Sequence, residues 1–184
     1  LAQPFRAIAH NGEINTFRGN KNWMKIHEQE MDSDLFEDIE NLKPVIQAGT
    51  SDSAALDNVF ELLNISGQPA PLAKLMLVPD AWSKKSKILP KDHQQLFNFL
   101  NSTMEPWDGP AAIAGTDNEW VIAANDRNGL RPLRYTITKD NFLFAGSETG
   151  MIKLNEKKIL TKGRLGPGEI IGVRDEKGKL FTNE

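Results

Sequence analysis

The segment AIAHNGEINT, residues 7–16, places His10, Asn11, Gly12, Glu13 and Asn15 directly behind a short apolar run. An Asn-Gly pair suits a tight reversal, because both residues tolerate positive φ. The same pair suits a chemical task. An Asn side-chain amide and a Gly backbone N–H aimed at one point form an oxyanion hole, and the missing Cβ lets a carbonyl oxygen approach closely. On the residues alone both readings stand: a hairpin corner with His10 packed beneath it, or a donor pair that still needs a nucleophile. Asp52, in TSDSAALD, divides the same way. It is either a first-turn acid interacting with the positive end of a helix, worth about 0.3–1 kcal/mol, or a carboxylate that holds the ammonium of an amino-acid ligand.

Other constellations carry less chemistry. Ser51, His10 and Asp52 supply the residue types of a nucleophilic triad, but adjacent Ser51 and Asp52 read more simply as a helix cap, and no GxSxG elbow accompanies them. The three histidines, His10, His27 and His93, are far apart and form no HExxH, which argues against a metal centre. GRLGPG, residues 163–168, lacks the Gly-Lys-Ser/Thr ending of a phosphate loop and reads as a turn. Arg127 and Arg131 flank the turn in NDRNGLRP, either solvated or bracing an interior carboxylate. Trp107 and Asp108 in EPWDGP set the entry to the second half of the chain. There is no cysteine, so disulfides, zinc–thiolate sites and any thiol nucleophile are excluded within these residues.

The elements that would hold these groups follow from periodicity. FRAIAH (5–10) reads as a buried strand ending in the polar turn. NKNWMKIHEQEM (20–31) reads as a helix with Trp23, Ile26 and Glu30 at helical spacing. Leu35, Phe36, Ile39 and Leu42 suggest a short helix closed by Pro44 and Gly49. TSDSAALDNVFELLNISG has N-cap chemistry at residues 50–52, an apolar stripe of Leu56, Val59, Phe60 and Leu63, and a stop at Gly67. A helical turn or two begins at Pro71, and KDHQQLFNFLNSTM forms a further helix carrying Leu96, Phe97, Phe99 and Leu100. After EPWDGP the pattern becomes short β-rich runs: AAIAG, EWVIAAN, LRYTIT, NFLFAGS, KIL and EIIGVRD. A last hairpin turn, EKGK, leads to LFT. Helices early and antiparallel strands late make an α+β chain.

With 184 residues, 39% hydrophobic and 26% charged, the chain has the size and composition of one ordinary globular domain, with no repeat or interdomain linker. The balance of 22 basic against 25 acidic side chains points to neither nucleic acid nor a membrane as main partner. No run of 18 apolar residues and no charged-then-apolar leader is present, so the cytoplasm is the expected compartment. Leu1 is not an initiator methionine, and LAQPFRAIAH enters a strand almost at once, which suggests a fragment.

Taken in order, HNGEINTFRGNKNWM, TSDSAALDNVFELL, EPWDGPA, NDRNGLRPLRY, GSETG and KGRLGPGE resemble the amidotransferase domain of glutamate synthase large subunits, a class II glutamine amidotransferase. The resemblance covers nearly the whole chain, 1–184, as a partial domain. EINTFRGNKNWM and EPWDGPA make it specific against other class II amidotransferases, such as those feeding a sugar or nucleotide synthase. It implies an N-terminal-nucleophile hydrolase sandwich, two antiparallel sheets between helical layers, incomplete at the N-terminus. It also implies hydrolysis of L-glutamine to glutamate and ammonia by an N-terminal cysteine whose α-amino group is the base.

By that resemblance Asn11 and Gly12 match the oxyanion pair, Asp52 matches the carboxylate that binds the substrate α-amino group, and His10 falls with it on the substrate-binding side. The family's cysteine, and the arginine that holds the substrate carboxylate, fall outside these residues, so the chain alone is expected to be inactive. The complete enzyme would pass ammonia to a synthase domain carrying FMN and an iron–sulfur cluster, served by an NADPH-oxidising small subunit or by ferredoxin. None of those cofactors is expected in this chain. The competing expectation is a cysteine-free glutamine-binding or protein-interaction module. Removal of early strands would leave open sheet edges, so self-association is also expected.

Overall fold

The computed structural model describes residues 3–81, 89–174 and 178–183. Strand β1, Ile8–Gly12, is followed by helices α1 (Phe17–Glu30), α2 (Asp52–Ile65), α3 (Ala70–Leu77) and α4 (Lys91–Thr103). The second half supplies β2 (Ala111–Thr116), β3 (Trp120–Asn125), β4 (Arg134–Thr138), β5 (Leu143–Gly146), β6 (Ile159–Arg164), β7 (Ile170–Arg174) and β8 (Lys179–Phe181). A five-stranded sheet has the order β1-β2-β3-β7-β8, and a three-stranded sheet the order β5-β4-β6. Every pairing is antiparallel. This is the expected α+β arrangement. Residues 176–177 of the expected EKGK turn, and residue 175 before it, lie outside the described residues.

Two apolar cores explain the layering. One face of the large sheet, with Ile8, Ile113 and Ile122, packs on Leu56, Val59, Phe60 and Leu63 of α2 and on Ala73 and Leu77 of α3. This is the stripe expected for α2, and its start is fixed as expected: Ser51 Oγ accepts a hydrogen bond from the Ala54 N–H at 3.2 Å. The other face turns Ala112, Ala123 and Ile171 toward the small sheet, where Leu133, Tyr135, Leu143 and Ala145 meet them. The chain is thus layered helix, sheet, sheet.

Three local expectations are corrected. First, β1 starts later than residue 5 and runs through the Asn-Gly pair: Asn11 is opposite Ala112 and Gly12 opposite Ala111 on β2, so the pair is strand and not a hairpin corner. Second, α1 begins at Phe17 and buries Asn20 and Met24, leaving Trp23 49% and Ile26 47% exposed. The polar residue wins the inward position because its partners are in place. Asn20 Nδ2 donates to the Pro106 carbonyl at 3.0 Å, and its Oδ1 accepts from Thr16 Oγ1 at 2.6 Å. Third, residues 32–49 contain only a 3-10 turn, Ile39–Leu42, started by the Asp38 carboxylate accepting from the Glu40 N–H.

Candidate functional site

The site is built where β1 leaves the large sheet. Alternation along the strand sends Ile8, His10 and Gly12 to the helical side, and Ala9 and Asn11 toward the small sheet. It also sorts the backbone. The Ile8 N–H goes to Asp57 Oδ1 at 2.8 Å and the His10 N–H to Gln3 Oε1 at 2.7 Å, both away from β2. The Gln3 amide in turn donates to the His10 carbonyl at 3.0 Å. A strand edge that would otherwise be open is therefore capped by side chains at these positions. By the same period of two, the Gly12 N–H points off this free edge.

Gly12 is required by proximity. A Cβ there would sit 1.8 Å from the Pro110 carbonyl oxygen and 2.7 Å from His10 Nε2. The carbonyl belongs to the EPWDGP segment, which clamps the residues after β1: the Glu13 N–H donates to the Pro110 carbonyl at 3.0 Å, and the Asn15 N–H to the Asp108 carbonyl at 2.7 Å. Thr16 Oγ1 accepts from the Asp108 N–H at 2.9 Å, and the Asp108 carboxylate pairs with Arg127. Trp107 is buried beside α3, its N–H on the Leu77 carbonyl at 2.7 Å. The two stretches most specific to the resemblance are thus one structural unit.

Below this unit lies a polar seam between β1 and the start of α2. Asp52 Oδ2 accepts the Ile14 N–H at 2.7 Å, and its Oδ1 has only a long contact of 3.5 Å with Ser53 Oγ. Ser53 Oγ lies 2.8 Å from His10 Nδ1. The serine that meets His10 is therefore Ser53; Ser51 of the paper triad is a helix cap. His10 is 4% exposed, with its ring under the seam, and it is also among the residues that border the cleft beside Asn11. Burial lowers its pKa from the ordinary 6.5, with the Arg131 charge pushing the same way, while the Asp52 charge and the Pro110 carbonyl pull against them. That carbonyl favours the protonated ring, yet among the described residues no atom completes a well-formed hydrogen bond with the buried Nε2. The tautomer sets the direction of the His10–Ser53 bond: Nδ1–H donating to Ser53 Oγ leaves the hydroxyl proton for Asp52 Oδ1, whereas a proton on Nε2 has the hydroxyl donate to Nδ1.

Asn11 lies on the opposite face. Its side chain borders a cleft of about 430 Å³ between the sheets, lined by Gln3, Ala9, Ala112, Ala145, Gly146 and Ser147 among others. There Asn11 Nδ2 donates to Ser147 Oγ at 2.9 Å. The structure therefore joins His10 and Asp52 through Ser53, and places Asn11 and the Gly12 N–H at the strand edge above them.

The arginines resolve differently. Arg127 pairs with Asp108, as noted. The interior carboxylate of NDRNGLRP is Asp126, 1% exposed, and backbone amides brace it: Ala111, Asn128, Leu130 and Arg131 all donate to it. Gln3, Ser53, Asp57 and Ser147 were missed as site-forming residues. Ser53 and Asp57 stand in TSDSAALDNVFELL and Ser147 in GSETG, whereas Gln3 stands in no motif.

A chain with an Asn-Gly strand edge, an acid at the start of α2 and two layered antiparallel sheets belongs to the class II glutamine amidotransferases, whose family model matches residues 1–184. Over its whole length the chain is 56% identical to the glutamate synthase (NADPH) large chain of Azospirillum brasilense and 41% identical to that of Bacillus subtilis. It is 43% identical to the ferredoxin-dependent glutamate synthase of Antithamnion sp.. It spans 12% of the length of each of these relatives. Among the described residues no helix is long and apolar enough to cross a membrane.

Proposed function

We propose that this chain forms the oxyanion and ammonium-binding part of the glutaminase site of a glutamate synthase, where L-glutamine is hydrolysed to glutamate and ammonia for transfer to 2-oxoglutarate. The observation that carries the reading is the β1 edge: the Gly12 N–H points off the sheet next to the Asn11 carboxamide. Two donors at one strand edge suit the oxygen of a tetrahedral intermediate. Attack of a thiolate on the glutamine side-chain amide places negative charge on that oxygen, ammonia departs, and water resolves the thioester. Asp52 would hold the substrate ammonium through Oδ1, since Oδ2 is committed to the Ile14 N–H. His10 stays buried and supports the seam from below.

These residues contain no cysteine, so the thiol comes from elsewhere in the full-length protein and the 184-residue chain alone has no glutaminase activity. The same absence leaves no thiolate here for an iron–sulfur cluster. FMN and the cluster belong to a synthase domain of the same full-length chain, with NADPH or ferredoxin as the electron source and the cytoplasm as the compartment. Self-association would use edges other than the Ile8 and His10 positions of β1, which Asp57 and Gln3 cover.

In the full-length protein, Asn11→Ala lowers glutamine turnover by about 10²–10³-fold. Normal turnover in that variant overturns the assignment. The lack of a thiol also favours a second reading, a glutamine-binding module without chemistry. N-terminal sequencing and intact mass of the natural protein separate the two: a long chain beginning with cysteine supports the enzyme, and one beginning near Leu1 supports the module.

A further inference from the structure

We propose that Ser147 is a positioning residue for the oxyanion hole, fixing the Asn11 carboxamide from across the inter-sheet cleft. The inference rests on the glutaminase reading and goes beyond it, because it assigns the small sheet a part in the chemistry. A carboxamide nitrogen carries two N–H groups in one plane. Ser147 Oγ accepts one of them at 2.9 Å. That bond sets the plane of the amide and so the direction of the second N–H, the one left for a developing oxyanion. Asn11 is exposed and has no other side-chain partner among the described residues. Without Ser147 its amide would rotate about the terminal side-chain torsion, which is broad and weakly held.

The local sequence explains how a hydroxyl on one sheet reaches an amide on the other. The facing positions are small: Ala9 and Ala112 on the large sheet, Ala145 and Gly146 on the small one. Gly146 is the last residue of β5 and is opposite Arg134 on β4, so the backbone immediately before Ser147 is held in the ladder. A Cβ at Gly146 would lie 1.9 Å from Met151 Cε, so the glycine also lets Met151 fold over the strand end. The serine is thus delivered by a strand terminus and not by a free loop.

The test is a double-mutant cycle in the full-length protein, with glutamine hydrolysis as the readout. Ser147→Ala is expected to lower kcat by about 10-fold with KM unchanged, less than the roughly 10²-fold that a 1 Å misplacement of a catalytic group can cost, because the amide is freed to rotate and not displaced. Ser147→Thr, which keeps the hydroxyl, restores most of the rate. Because Ser147 acts through Asn11, the Asn11→Ala/Ser147→Ala double variant is no slower than Asn11→Ala alone. A wild-type kcat in Ser147→Ala overturns the inference, as does a double variant slower than Asn11→Ala by the full Ser147 factor, which would mark Ser147 as an independent staple between the sheets. The glutaminase reading fails separately, if Asn11→Ala itself turns over glutamine normally.

Discussion

The two faces of β1 are held by different means. On the helical side, buried polar groups meet the strand with many short bonds: Asp57, 2% exposed, accepts the N–H groups of Arg6, Ala7 and Ile8 at 3.2, 2.8 and 2.8 Å. On the cleft side, the same strand presents Ala9 and, among the described residues, a single exposed side-chain bond, Asn11 to Ser147. The backbone of the Asn11–Gly12 strand is anchored on the densely bonded side, while the Asn11 carboxamide, the proposed oxyanion donor, projects into the sparsely bonded one. Rigidity and access are separated by the period of two of a single strand.

The strongest way to break this comparison is to remove the anchor. Asp57→Ala leaves the N–H groups of Arg6, Ala7 and Ile8, where the chain enters β1, without their acceptor, at about 1–3 kcal/mol for each group left buried and unsatisfied. We expect a loss of about 3 kcal/mol or more, read as a lower denaturation midpoint and a lower soluble yield. Asp57→Asn keeps the oxygen that serves Ala7 and Ile8 and is expected to cost about 1 kcal/mol, the worth of one hydrogen bond. Equal losses in the two variants would mean that the charge of Asp57, and not its acceptor geometry, holds β1.

How far this site could be read from sequence follows from the range of its bonds. Helix α2 was legible because its cap and its apolar stripe are local, and the second-half strands because hairpin residues separate them. The strand nature of Asn11 and Gly12 was not, since it depends on Ala111 and Ala112, about a hundred residues away. The buried face of α1 was missed for the same reason: Asn20 is drawn inward by the Pro106 carbonyl, 86 positions on. The resemblance pointed to Asn11, Gly12 and Asp52, whereas Ser53 and Ser147 emerge only once the 43 and 136 positions separating them from His10 and Asn11 are closed by folding. Position in a motif marked Asn11, Gly12 and Asp52, and only tertiary contact brought Ser53 and Ser147 to them.

His10 sharpens the comparison at intermediate size, because it links the two ends of the anchored face. Its pKa is lowered in the folded protein, chiefly by burial. A depressed folded value means that the neutral ring contributes stability that is fully present above the ordinary 6.5 and is lost as pH falls through the folded value. The thermal midpoint should therefore drop on acidification below that pH, and the drop should shrink in His10→Asn. Taking the difference between the two proteins removes the contributions of His27 and His93. An identical pH profile in the variant would show that the seam tolerates an imidazolium, and that Asp52 and the Pro110 carbonyl offset the cost of burying it.

The smallest effect is expected on the outer part of the small sheet. Leu160, in β6, is 62% exposed, so its side chain gives up little apolar surface on folding. Threonine suits a strand as well as leucine does, so Leu160→Thr should change stability by less than about 0.5 kcal/mol. That outcome would confirm that the small sheet is held from its inner face, through Leu133, Leu143 and Ala145. A loss above about 1 kcal/mol in the full-length protein would have a different meaning. The area exposed in this chain would then be covered by a neighbouring part of the same protein, and the sheet that orients Asn11 would be braced from both sides.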